Sequence, residues 1–288
     1  PPRRIRPCRL SSSSKENAAA LVRVFHFVFR SSAIEWVEGE PLTAITTPTP
    51  TPYGNNRTVI PPVIHISSDG TRTVIITTQP DAGPLTIESY YDEYLAIPGI
   101  LAQMLHRQAE VDAFILACWG DPGIEAAREI TSKPVVGIAE ASLYVANSLG
   151  AKFGVVSTLK RTQHMVEKTI EKVGLASRCA LALCTDLPVA ATEDDRDHTL
   201  HVLEEGGRQV MAAGAEVIVL GCAGMSGLDG VLAERLGVPV IDAVAAAVVW
   251  AEALVQLGKA TSKAMTYRRP ELKPIAGYPD FMQPANLR

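Results

Sequence analysis

From residue 87 onward the chain alternates short apolar runs with longer amphipathic stretches. Runs at 111–117, 134–138, 152–157, 180–184, 216–221 and 238–241 are almost wholly apolar, as strands buried on both faces require. Between them, helical spacing predicts helices over 90–107 (with a break near Pro98-Gly99), 122–130, 140–149, 162–173, 193–213, 229–236 and 244–257. Gly150, Gly174, Gly214, Gly237 and Gly258 stand where helices should stop. The fold class expected is α/β, with parallel sheets covered by helices. Before residue 87 the pattern is weaker. Ser11 to Asn17 reads as a capped start to a helix over about 18–25, and 46–52 alternates Thr and Pro like a linker. Two β-rich runs, 63–66 and 73–76, flank Ser68-Asp69-Gly70 and suggest a hairpin.

A repeat lies inside this pattern. Cys118, Gly120 and Gly123 recur as Cys222, Gly224 and Gly227, each 104 residues later, and Pro134-Val135-Val136 recurs as Pro239-Val240-Ile241 at 105. Each copy runs strand, Cys-x-Gly-x-x-Gly loop, helix, Pro, strand, helix. Two similar α/β halves with a pseudo-two-fold relation follow, and ligands of open α/β sheets bind at the carboxyl ends of strands. Both cysteines fall there, so an active site is expected in the cleft between the halves. The division expected is an atypical segment 1–85 with an insertion around 48–80, a first half of 86–150 plus 245–265, a second half of 151–244, and a tail of 266–288.

Composition narrows the function. The net charge of −4 argues against a nucleic-acid partner, and no apolar run reaches membrane-spanning length, so no membrane partner is expected. Five cysteines, an odd number, fit a reduced, cytoplasmic protein better than a disulfide framework. The chain opens at Pro1 with arginines at 3, 4, 6 and 9, consistent with a processed chain or a piece of a longer one. Asn56-Arg57-Thr58 fits a glycosylation tripeptide but reads as a loop. No metal is expected: Cys179 and Cys184 lack a second pair, and His198 and His201 lack further ligands nearby.

Two thiols at matching strand ends suit proton transfer. A thiol titrates at roughly 8.5, and a helix N-terminus lowers that value. One thiolate and one thiol on opposite faces of a carbon acid would remove a proton from one side and return one to the other, with no cofactor. A single buried cysteine is more often core filling, but the pairing within a repeat favours chemistry. A dinucleotide or P-loop reading of the glycines fails, because no Lys-Ser/Thr follows and a cysteine replaces the first glycine.

The residues that carry these features resemble a known family. Ala117-Cys118-Trp119-Gly120-Asp121-Pro122-Gly123, Ala126-Ala127-Arg128-Glu129 and the run 134–141 look like the first half of a hydantoin racemase. Val219 to Met225 looks like its second half, and 87–93, 155–162 and 261–263 fit as well. The resemblance implies membership of the aspartate/glutamate racemase superfamily and racemisation of 5-substituted hydantoins or allantoin without a cofactor. It implies Cys118 and Cys222 as the two bases. Main-chain groups at Trp119, Gly120, Ala223 and Gly224 would hold ring carbonyls, Trp119 would shape the pocket, Ser157 and Thr158 would bind the imide edge, and Glu140 would orient the ring or a cysteine. The family leaves room for a homo-oligomer. Its opening strand ends in Asn-Pro-Asn-Thr/Ser; the corresponding start here, 4–11, lacks that asparagine.

Two other readings stay open. An amino-acid racemase on the same scaffold would need groups for a free carboxylate and ammonium, and the hydroxyl-rich cysteine contexts of that branch are absent. A member impaired by its altered N-terminus would fold and bind ligand weakly or not at all.

Overall fold

The computed structural model describes residues 21–27, 63–66, 72–80 and 82–287. Two sheets organise it. The first contains β1 (Leu21–Phe27), β2 (Val63–Ile66), β3 (Arg72–Thr78), β4 (Ala113–Leu116) and β5 (Val135–Gly137), in the order β2-β3-β1-β4-β5. All neighbours are parallel except β2, which runs antiparallel to β3 at the edge. The second sheet is wholly parallel: β6 (Phe153–Ser157), β7 (Cys179–Cys184), β8 (Val217–Leu220) and β9 (Val240–Ile241), in the order β7-β6-β8-β9. The expected α/β fold with parallel sheets is therefore present.

The helices divide by which core they cover. α1 (Tyr90–Arg107) and α2 (Ile124–Ile130) close the outer face of the first sheet, burying Ile100, Met104 and Ile124 against Phe114 and Leu116. α6 (Arg196–Ala212) and α7 (Asp229–Leu236) do the same for the second, burying Leu203, Val210 and Leu232 against Ile218 and Leu220. α3 (Ile138–Leu149) and α8 (Ala243–Gln256) pack on each other between the sheets, in the largest apolar cluster. That cluster joins Ile115 of the first sheet to Val155 and Val219 of the second. α8 follows the last strand of the second sheet yet also lies on β4 and β5. α4 (Gln163–Lys172) and the one-turn α5 (Ala191–Asp194) complete the set. Among the described residues no helix is long and apolar enough to cross a membrane.

Several expected elements differ. The helix read over 18–25 gives way to strand β1 from Leu21, set between β3 and β4. Val22, Val24, Phe25 and Phe27 are β-branched or aromatic, and pairing with two neighbours outweighs the helical propensity of the preceding alanines. Among the described residues the first parallel strand is Leu21–Phe27; 4–11 lies outside them, as do Cys8, the Thr/Pro stretch and the Asn56 tripeptide. β2 and β3 fall in the stretch read as inserted, and β3 pairs with β1 in parallel. α1 is not broken at Pro98. Ala96, Ile100, Gln103 and Met104 are buried on either side of the proline, and that packing carries the helix through a residue that costs roughly 3 kcal/mol. Gly99 is required there: a Cβ would sit 2.4 Å from the carbonyl oxygen of Ala82. The long helix expected over 193–213 is two, because Asp195 caps a fresh start by accepting the His198 N–H at 3.0 Å.

Candidate active site

A cleft opens at the carboxyl ends of β4, β6 and β8, with a volume of about 850 Å³ counting the space at its mouth. Cys118 follows β4 by two residues and Cys222 follows β8 by two, so one thiol comes from each sheet, and both line this cleft. The two cysteines are partly buried, and neither they nor Cys179 and Cys184 form disulfides. The sulfurs also feel each other's charge. Burial pushes the Cys118 thiol up to about 12; the neighbouring Cys222, Glu93 and Asp121 raise it further, and only the Gly120 N–H bonded to its sulfur acts the other way. The lowering expected from a helix N-terminus is thus overridden. α2 begins six residues beyond Cys118, too far for its N-terminal field to offset desolvation.

Each cysteine loop is braced by a buried carboxylate, and the two braces are built from opposite ends. After Cys118, Asp121 (4% exposed) takes a left-handed φ of 48° and accepts the N–H groups of Ala139 (3.0 Å) and Glu140 (2.9 Å) at the start of α3. Its carboxylate fills the space beside Gly137, where a Cβ would lie 2.1 Å from the Asp121 Cγ. Burial pushes Asp121 up to about 7, against the lowering by those two N–H bonds. In the second half the carboxylate stands at the strand end instead. Asp242 accepts the N–H groups of Val244 (2.8 Å) and Ala245 (3.1 Å) at the start of α8 with one oxygen. With the other it accepts the Ser226 hydroxyl (2.6 Å) and the Gly227 N–H (2.9 Å) of the Cys222 loop. Residues 137 and 242 are the same position of the repeat, glycine in one half and aspartate in the other.

Of the residues picked from sequence, Cys118, Trp119, Gly120, Ser157, Thr158, Cys222, Ala223 and Gly224 all line the cleft. Glu140 does not. At the start of α3 it pairs with Arg128, which also donates to the Val135 carbonyl oxygen and lies over the Tyr267 ring. Ser157 (2% exposed) donates its hydroxyl to the Gly221 carbonyl at 2.9 Å, tying β6 to the residue before Cys222. Gly221 is glycine for the same reason, since a Cβ would lie 2.7 Å from that of Ser157. Trp119 is buried, and its Nε1–H has no partner among the described residues. His164 faces out beside Glu167, and His198 and His201 are exposed.

Four polar side chains of the lining were not picked out: Thr86, Glu93, Thr162 and Thr169. Glu93 projects from α1 over the Cys118 loop, 3.6 Å from where a Cβ on Gly120 would stand. Burial raises its carboxyl above the usual range, and Lys172 partly offsets this. The hydroxyls of Thr162 and Thr169 donate to the carbonyls of Leu159 (2.7 Å) and Met165 (2.9 Å), as Ser157 does to Gly221. Three lining hydroxyls therefore donate their protons to the main chain, and Thr162 also lies 3.8 Å from the Cys184 sulfur. Among the described lining residues no lysine, arginine or histidine occurs, and Glu93 is the one charged side chain.

Comparison with known proteins accords with this geometry. The family model described as Asp/Glu/Hydantoin racemase matches residues 63–251. A hydantoin racemase from Pseudomonas sp. (strain NS671) is 48% identical over 207 residues, 71% of this chain and 83% of that protein. One from Rhizobium meliloti is 42% identical over 208 residues, 72% of this chain and 86% of that protein. Among solved structures, an allantoin racemase from Klebsiella pneumoniae superposes with a TM-score of 0.74 at 34% identity, covering 92% of this chain and 99% of that one. A double mutant of arylmalonate decarboxylase, at 14% identity and a TM-score of 0.53 over 84% of this chain and 96% of that one, shares the fold.

Proposed function

The chain belongs to the Asp/Glu/Hydantoin racemase family and is an isomerase, and from that premise we propose that it inverts C5 of a hydantoin-type ring, a 5-substituted hydantoin or allantoin, by proton transfer between two cysteines and without a cofactor. One observation carries the reading: thiols from the ends of two different sheets line one cleft and influence each other's ionisation. When one sulfur is ionised the other is harder to ionise, which favours one thiolate and one thiol, the pair that inversion requires. Cys118, pushed up to about 12, is the resting thiol. Cys222 then takes the C5 proton, the ring becomes an enolate at its adjacent carbonyl, and Cys118 gives its proton to the opposite face. In the next turn, or with the other hand of substrate, the roles reverse; the Gly120 N–H stabilises the Cys118 thiolate formed. Ala223 and Gly224 open a helical turn, so their N–H groups have no partner within it and suit the enolate oxygen.

The lining favours a neutral ureide over an amino acid. A free α-carboxylate would meet Glu93 with no lining cation to neutralise it, whereas ring and ureido N–H groups would meet the Glu93 carboxylate as an acceptor. The hydantoin and allantoin racemases that the chain resembles act on such compounds by name. The test is incubation of an enantiopure 5-alkylhydantoin and of enantiopure allantoin in D2O, following optical rotation and deuterium at C5. Loss of rotation with deuterium uptake is expected for at least one, and no loss of rotation with Cys118→Ser or Cys222→Ser. Full racemisation by either variant would end the two-base assignment.

A further inference from the structure

Glu93 takes no part in the proton transfer itself, yet its placement is specific. The other carboxylates of its turn are spoken for. Glu88 accepts the Val189 N–H at 3.2 Å, and Asp92 accepts the Ser89 hydroxyl at 2.7 Å and the Glu88 N–H at 3.1 Å. Glu93 accepts no hydrogen bond from any described residue, although it is half-buried and lines the cleft beside Gly120. The cation that reaches it electrostatically, Lys172, is paired with Glu125 at 2.5 Å and is not part of the lining. A partly dehydrated carboxylate without hydrogen bonds is costly unless a ligand supplies donors. A closed ureide ring supplies N–H donors and no charge. The same compound after ring hydrolysis, an N-carbamoyl amino acid, keeps ureido N–H groups but gains a carboxylate.

Resting on the ring-racemase reading, we infer that Glu93 is a specificity-determining residue: it accepts a hydrogen bond from a ring N–H and, by like-charge repulsion, turns away the ring-opened N-carbamoyl amino acid. The ring-opened compound would then not inhibit the enzyme as it accumulates.

The experiment compares wild type, Glu93→Gln and Glu93→Ala with three probes sharing one side chain: the hydantoin, the N-carbamoyl amino acid, and the uncharged N-carbamoyl amino acid amide. Racemisation kinetics give KM, kcat and inhibition constants, and thermal shift gives binding without turnover. Glu93→Gln should bind the N-carbamoyl amino acid about tenfold or more tightly than wild type while binding the amide as wild type does. Glu93→Ala should raise KM for the ring about tenfold with little change in kcat, and Glu93→Gln should restore much of that loss. A purely structural role would lower stability and shift all three probes together. Equal binding of the N-carbamoyl amino acid by wild type and Glu93→Gln would overturn the inference. A wild type that exchanged no C5 proton would overturn the racemase reading instead, while the thermal shifts would still decide the role of Glu93.

Discussion

Replacing Asp121 by asparagine isolates the electrostatic cost of the brace behind Cys118. The side chain is 4% exposed, and burial holds its carboxyl at about 7 in the folded protein against an ordinary value of 3.8. Between those values the folded state holds a proton that the unfolded chain has lost. Stability from this group is therefore full below about 4, declines as pH rises through 4 to 7, and is flat above. Linkage between pH 5 and pH 8 gives a decline of about 2 to 3 kcal/mol. The Asp121→Asn variant cannot ionise at this position and loses this slope. It also turns an amide NH2 toward one of the two N–H groups now accepted at 3.0 and 2.9 Å, a pH-independent loss of about 1 to 3 kcal/mol. Urea unfolding of both proteins at pH 5, 6, 7 and 8 separates the two effects. The variant should be clearly weaker at pH 5, and the gap should close by about 2 to 3 kcal/mol at pH 8. Parallel profiles, or a gap that widens with pH, would refute a raised carboxyl at this position.

Two further outcomes follow from the same geometry. Gly137→Ala places a methyl 2.1 Å from the Asp121 Cγ, so the carboxylate must leave its two N–H partners; a loss of about 3 kcal/mol in urea unfolding and a fall in kcat are expected. Because the Cys118 thiol is held at about 12, iodoacetamide at pH 8 should modify it far more slowly than an ordinary thiol, with the rate still rising beyond pH 10. Peptide mapping by mass spectrometry reads this directly, and fast labelling of Cys118 at neutral pH would contradict it.

Much of the fold is legible because doubly covered parallel strands write themselves as short apolar runs, and glycines mark where helices end. Helix 229–236 is predicted to the residue. The repeat is enough to foretell that Cys118 and Cys222 open on one cleft. What escapes depends on partners distant in the chain. β1 is a strand because residues about fifty and ninety positions later pair with it, and its local alanines point elsewhere. Asp121 looks like a loop residue, since the glycine that makes room for its carboxylate lies sixteen positions on. Glu140 invites a role at the ring, but Arg128, twelve residues earlier, claims it through the folded structure. The raised Cys118 thiol is invisible for a related reason: a local motif reports nearby donors, whereas desolvation belongs to the whole cleft.

The braces built from opposite ends set the unit in which this site can be rebuilt. A graft of residues 222–228 onto the first half would carry Ser226 and Gly227 to a strand end where Gly137 offers no carboxylate. A graft of 118–123 onto the second would drive Asp121 toward Asp242, two acids competing for one pair of N–H groups. Loop and strand-end residue must be transplanted together, Asp121 with Gly137 or Ser226-Gly227 with Asp242. Anyone recombining such racemases should place crossovers outside 118–137 and 222–242 rather than at the loops themselves.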